Sequence, residues 1–125
     1  MKVFITGISG LLGSTMAKYL INNGHEVIGI DNMIGGVDGN VPELATYIKG
    51  DILDTSGTLS TAVAAIHNKV RLFINCSSMA RYGHGKPPFT EDMATNPVDP
   101  YGLAKVQAEQ HLKILNDIHG LNYLT

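Results

Sequence analysis

Three groups of residues in this chain have types and spacing that could do chemistry: a run of glycines near the start, an acid about 20 residues beyond it, and a tyrosine four residues before a lysine. Gly7, Gly10 and Gly13 stand at three-residue intervals in Thr6-Gly7-Ile8-Ser9-Gly10-Leu11-Leu12-Gly13. Glycines so placed let a backbone turn tightly and let a pyrophosphate approach the main chain, while the N–H groups of a following helix add partial positive charge. Asp31 could accept hydrogen bonds from ribose hydroxyls and repel a 2′-phosphate, which favours NAD over NADP. Tyr101 and Lys105 would share one helix face, where an ammonium beside a phenol favours the phenolate and makes the tyrosine a usable acid/base. Each feature also has a plainer reading. GxxGxxG occurs in ordinary loops, Asp31 beside Asn32 suits a turn, and a lysine often covers an aromatic ring on a helix.

The surrounding pattern supplies the elements that must position these groups. Residues 2–6 read as a buried strand, and Leu12, Met16, Ala17, Leu20 and Ile21 recur at helical spacing until Gly24. Residues 25–31 form a second strand ending in Asp31, and residues 33–44 a Gly- and Pro-containing loop with room for one helical turn. A third strand is expected at 45–49 and a helix at 58–68, with Leu59, Ala62, Val63 and Ile66 on one face. A strand at 70–76 leads into Ser77-Ser78, placing hydroxyls at a C-terminal strand end, although a serine pair there can equally cap a turn. Residues 82–98 read as loop. Asp99-Pro100 then opens the longest helix as N-cap and first-turn proline, Gly120 closes it, and 121–125 resembles a last strand. Alternating strands and helices predict an α/β fold, a parallel sheet with helices on both faces.

Composition narrows the classes. One domain over residues 1–125 is expected, since a chain of this length buries enough surface for a single core. A net charge of −2 and no basic stripe argue against nucleic acid as partner. No apolar run reaches membrane-spanning length and no signal-peptide layout precedes the first strand, so a cytoplasmic protein without membrane contact is expected. Cys76 is the sole cysteine, which excludes an intrachain disulfide, and the five histidines lack metal-ligand spacing, so no metal site is expected. His111 and His119 are expected on the exposed side of the long helix, and Glu91-Asp92 in a solvated turn.

Taken together and in order, these segments resemble the extended short-chain dehydrogenase/reductases, in particular NAD-dependent sugar-nucleotide epimerases and dehydratases. TGISGLLGSTMAKYL is similar to the cofactor fingerprint, GHEVIGIDN to the second strand with its acid, GDILD to the segment flanking the adenine, SSMARYG to the catalytic-serine segment, and PFTEDMATNPVDPYGLAK to the approach to YxxxK. The resemblance implies a Rossmann-like sheet, NAD as cofactor and a nucleotide-sugar substrate. It implies catalytic roles for Ser78, Tyr101 and Lys105, and cofactor contacts from Gly7, Gly10, Leu11, Leu12, Gly13, Asp31, Asn32, Asp51, Ile52, Cys76, Tyr101 and Lys105. Tyr101 would serve as acid/base, Lys105 as its pKa modifier and ribose ligand, and Ser78 as partner of the sugar oxygen.

The chain departs from that pattern in two places. Between Asp51 and Ser78 only one helix fits, where the family carries two helices and an intervening fourth strand, so a sheet of reduced strand number is expected. No segment within these residues resembles the family's C-terminal substrate domain, so a chain without it is expected. The missing strand belongs beside the first, so either residues 70–76 move into its place or a second subunit fills it, and a homo-oligomer is expected. Two functions follow as alternatives: an epimerase/dehydratase-like enzyme, or a non-catalytic NAD-binding or assembly module derived from one by deletion.

Overall fold

A computed structural model describes residues 1–51 and 55–125. Lys2–Thr6 forms β1, Leu11–Asn22 α1, Glu26–Asp31 β2, Thr46–Lys49 β3, Thr55–His67 α2, Leu72–Ile74 β4, Pro100–His119 α3 and Tyr123–Leu124 β5, with short 3-10 turns at Asp38–Asn40 and Met79–Tyr82. The five strands make one sheet in the order β3-β2-β1-β4-β5, with every pairing parallel. This is the expected Rossmann-like architecture, and it settles how the sheet closes over the missing strand. β4 pairs directly with β1, aligning Phe4 with Phe73. The serine strand thus takes the place beside the first, one of the two arrangements expected for a sheet without the fourth strand.

Alternation along β1 divides the core between the two faces of the sheet. Val3 and Ile5 point towards α1 and pack with Ile8, Ala17, Leu20, Val27 and Ile74. Phe4 points the other way, stacks on Phe73 with ring centroids 5.3 Å apart, and joins Ala62 and Ala65 of α2 with Leu112 and Leu115 of α3. Helices therefore cover both faces, as buried parallel strands require.

The α3 boundaries follow from its caps. The Asp99 carboxylate accepts from Gly102 N–H at 2.6 Å, Pro100 occupies the first turn, and Gly120 ends the helix in the left-handed region at φ 68°. Other expectations need correction. Of the face expected for α2, Ala62 is buried and Val63 and Ile66 pack against the core, while Leu59 is exposed and Thr58 and Ala65 are buried instead. β4 is three residues long, not seven, and β5 only two. His111 is half-buried, with its Nδ1 enclosed and unpartnered among the described residues.

Candidate functional site

A groove of about 450 Å³ opens at the C-terminal edge of the sheet, where β1 leads into the glycine turn on one side and β4 ends on the other. Ligands bind at such reversals of strand order because the loops there part in opposite directions. The lining brings together Gly7, Gly10, Leu11, Leu12, Gly13, Asp31, Asn32, Cys76, Tyr101 and Lys105 from the expected set, and adds Ile34, Gly35, Gly36 and Ser77.

The glycine turn is built as its spacing requires. Gly7 lies at φ 72°, Gly10 N–H donates to Gly7 C=O at 3.1 Å, and a Cβ on Gly13 would stand 2.1 Å from that same carbonyl oxygen. α1 is thus seated directly on the turn. Its N-cap, Gly10, supplies no side-chain acceptor, which leaves the first-turn N–H groups uncapped at the groove wall. An uncapped helix start beside a backbone that no Cβ blocks fits the diphosphate of a dinucleotide.

Asp31 ends β2 with its carboxylate held by two main-chain donors, Ser9 N–H at 3.0 Å and Met33 N–H at 2.8 Å. A carboxylate offers about four acceptor positions, so two remain for hydroxyls in the groove. Asp51 is exposed and does not line the groove, although its charge acts on Lys105. Ile52 lies outside the described residues.

At the other end, Lys105 is only 6% exposed. Its Nζ donates to Cys76 C=O at 2.9 Å and lies 5.5 Å from the centroid of the half-exposed Tyr101 ring. Burial pushes the Lys105 pKa down, opposed by negative charge at Cys76, Asp31, Asp51 and Glu109. Burial pushes the Cys76 thiol up, with Lys105 pulling it back and Asp31 adding to the rise. The two serines divide. Ser78 Oγ accepts from Ala80 N–H at 3.2 Å and caps the second 3-10 turn, while Ser77 lines the groove and donates to the Glu109 carboxylate. Glu109 is paired in turn with Arg81, at 3.0 Å. Sequence reasoning missed Ser77 and the Ile34-Gly35-Gly36 wall; the signals were the serine pair itself and the glycine pair just after the acid. Among the described residues there is no cluster of three or more His, Cys, Asp or Glu fit to hold a metal, and no helix long and apolar enough to cross a membrane.

A parallel sheet wrapped by helices, with a glycine turn at the reversal of strand order and an acid at the end of the second strand, defines a Rossmann-like nucleotide-binding domain. The chain belongs to the NAD dependent epimerase/dehydratase family, whose profile matches residues 3–63 and again residues 54–125. The two matches share residues 54–63, most of which lie in α2. UDP-glucose 4-epimerase of Mycolicibacterium smegmatis is 26% identical over 168 aligned positions, covering 98% of this chain and 53% of the relative. That alignment is longer than the 125-residue chain, so the relative carries segments that this chain lacks. Among solved structures, UDP-N-acetylglucosamine 4-epimerase of Methanobrevibacter ruminantium, in complex with UDP-N-acetylmuramic acid, superposes with a TM-score of 0.73 at 26% identity, covering 98% of this chain and 52% of that one. UDP-glucose 4-epimerase of Brucella ovis, in complex with NAD, gives 0.68 at 25%, with 98% and 50% covered. The chain spans about half the length of the curated relatives it matches.

Proposed function

We propose that this chain binds NAD in the groove and acts as a sugar-nucleotide epimerase or dehydratase, with residues 1–125 forming one domain. The observation that carries this reading is the joining of the glycine turn, Asp31 and the Tyr101/Lys105 pair in a single groove. Asp31 and Asn32 would hold the adenosine ribose, the turn and the start of α1 the diphosphate, and Cys76, Tyr101 and Lys105 the far nucleoside. Acceptance and return of a hydride is the chemistry that NAD supplies when bound. The chain's own part is to move the proton. Tyr101 takes it from a nucleotide-sugar hydroxyl and later returns it, Lys105 fixes the local charge, and Ser78, which caps the 3-10 turn just outside the groove lining, would reach the sugar oxygen only by turning its O–H into the groove.

A second reading is favoured by one observation. β4 stands beside β1, a strand spacing of about 4.8 Å inward of the family pattern, which suits a module that binds NAD without turnover. Isothermal titration with NAD and NADP, followed by incubation with UDP-sugars, separates the two. Product formation lost in Tyr101→Phe supports the enzyme; NAD binding unchanged in that variant, with no turnover, supports the module. Absence of NAD binding refutes both. We further propose a cytoplasmic homo-oligomer, since Phe4, Ile28, Ile30 and Ile48 line an open groove of about 430 Å³ beside α2. A monomer across a wide concentration range in sedimentation velocity would refute the oligomer.

A further inference from the structure

Ser77 is the serine that lines the groove, and its proton is already committed. Glu109 lies on α3 one helical turn beyond Lys105, and its carboxylate accepts from Ser77 Oγ through one oxygen while the other meets Arg81 Nη2 at 3.0 Å. Both members of that ion pair are largely buried, with side-chain exposures of 22% for Arg81 and 16% for Glu109. Arg81 Nε has no partner among the described residues, so the guanidinium depends on Glu109 for its charge balance. An ionised carboxylate can only accept, which forces Ser77 to be the donor. A hydrogen bond to an ionised acceptor is about twice as strong as one between neutral groups, so a neutral ligand cannot draw the serine proton away. Ser77 therefore faces the groove as an acceptor. The donor at that end is Lys105, whose Nζ is held at Cys76 C=O.

We propose that Glu109, held by Arg81, is a positioning residue that fixes Ser77 as a hydrogen-bond acceptor at the end of the groove away from Asp31, and so selects a ligand that donates there, a carboxamide N–H₂ rather than a ketone. This rests on the NAD reading of the groove, in which the nicotinamide lies at that end. Ser77 and Glu109 act on the carboxamide group alone, leaving the adenosine and diphosphate contacts to the glycine turn and Asp31.

The test is calorimetric titration of the full chain with three probes: ADP-ribose, NAD, and 3-acetylpyridine adenine dinucleotide, a neutral analogue in which a methyl ketone replaces the carboxamide. The chain should bind NAD about fivefold more tightly than the acetylpyridine analogue, the worth of one neutral hydrogen bond. Ser77→Ala, which leaves the Glu109–Arg81 pair in place, should abolish that preference. Glu109→Ala should narrow it, because the freed hydroxyl can turn and donate to the ketone. Glu109→Gln, which keeps an amide oxygen for the serine proton, should restore it. Expressing each preference against the affinity of the same variant for ADP-ribose removes any general loss of fold. A preference that survives in Ser77→Ala, or that is missing from the unmodified chain while ADP-ribose binds, overturns the proposal and leaves the groove reading standing. Failure of ADP-ribose itself to bind overturns the groove reading and the proposal with it.

Discussion

Gly13→Ala is the substitution for which the structure gives the most definite outcome. Its Cβ would stand 2.1 Å from Gly7 O, 2.8 Å from Gly7 C and 2.9 Å from Ile8 Cα, all of them backbone atoms. Contact begins to be ordinary at 3.4 Å, so α1 and the turn must separate by about 1.3 Å. Overpacking of this kind costs about 1–3 kcal/mol, while exchanging glycine for alanine inside a helix returns up to about 1 kcal/mol. The net destabilisation is about 1–2 kcal/mol, a fall of roughly 3–8 °C in Tm for a chain of this size. The same displacement carries the uncapped N–H groups of α1 away from the diphosphate, so ADP-ribose affinity should fall about tenfold or more, the loss of one or two hydrogen bonds to a charged group. Gly39→Ala is the matched control, since a Cβ there meets nothing within 4 Å, and it should stay within about 0.5 kcal/mol of the parent. Thermal denaturation and calorimetry on the two variants decide the matter. A Gly13→Ala protein that melts with the control and keeps its ADP-ribose affinity would refute the close seating of α1 on the turn.

Two further outcomes follow from the buried charges. The Lys105 pKa is depressed below its ordinary 10.5, so between the folded value and 10.5 the unfolded chain holds more protons, and stability rises with pH across that window. Denaturant melts from pH 7 to 10.5 should therefore show the parent gaining on Lys105→Met as pH climbs, and a gap that stays flat or moves the other way counts against the burial penalty. The raised Cys76 pKa predicts that iodoacetamide alkylates the folded chain more slowly than the unfolded chain at pH 8. NAD should slow the reaction further because Cys76 lines the groove, and equal rates with and without NAD would place the ligand elsewhere.

What could be read in the sequence was what a short stretch of chain decides. The Gly7-Gly10-Gly13 turn, the Asp31 strand end and the Asp99/Gly120 caps of α3 rest on main-chain conformation and near neighbours, and each lies where its spacing puts it. Long-range partners were not legible. Nothing local tells Ser77 from Ser78. One caps a turn and the other faces the groove because Glu109, 32 residues on, draws the first hydroxyl towards α3. The Arg81–Glu109 pair, the enclosed ring nitrogen of His111 and the small-residue face of α2 are likewise set by which helix packs on which.

The place of β4 has the widest consequence of these non-local choices. Lys105 Nζ is bound to Cys76 C=O at the exit of β4, Ser77 to Glu109, and Arg81 to Glu109, so the end of β4, the 3-10 turn after it and α3 are tied into one unit. The other unit is β1, the glycine turn, α1 and β2, joined by Gly7 N–H to Ile30 C=O at 2.8 Å and by Ser9 N–H to Asp31. With β4 beside β1, the second unit would stand about one strand spacing, 4.8 Å, nearer the first than in a sheet with the expected fourth strand between them. The two units meet closely at Gly7, where a Cβ would lie 3.1 Å from Cys76 Cβ. The groups proposed to hold the diphosphate and adenosine, the glycine turn and Asp31, lie within the β1–α1–β2 unit and are indifferent to the shift. The proton transfer proposed for Tyr101 would depend on the separation of the two units, where catalytic alignment tolerates errors of about 0.5 Å. Binding should therefore withstand the loss of a strand more readily than turnover, and Tyr101→Phe measured by both assays separates the two consequences in one protein.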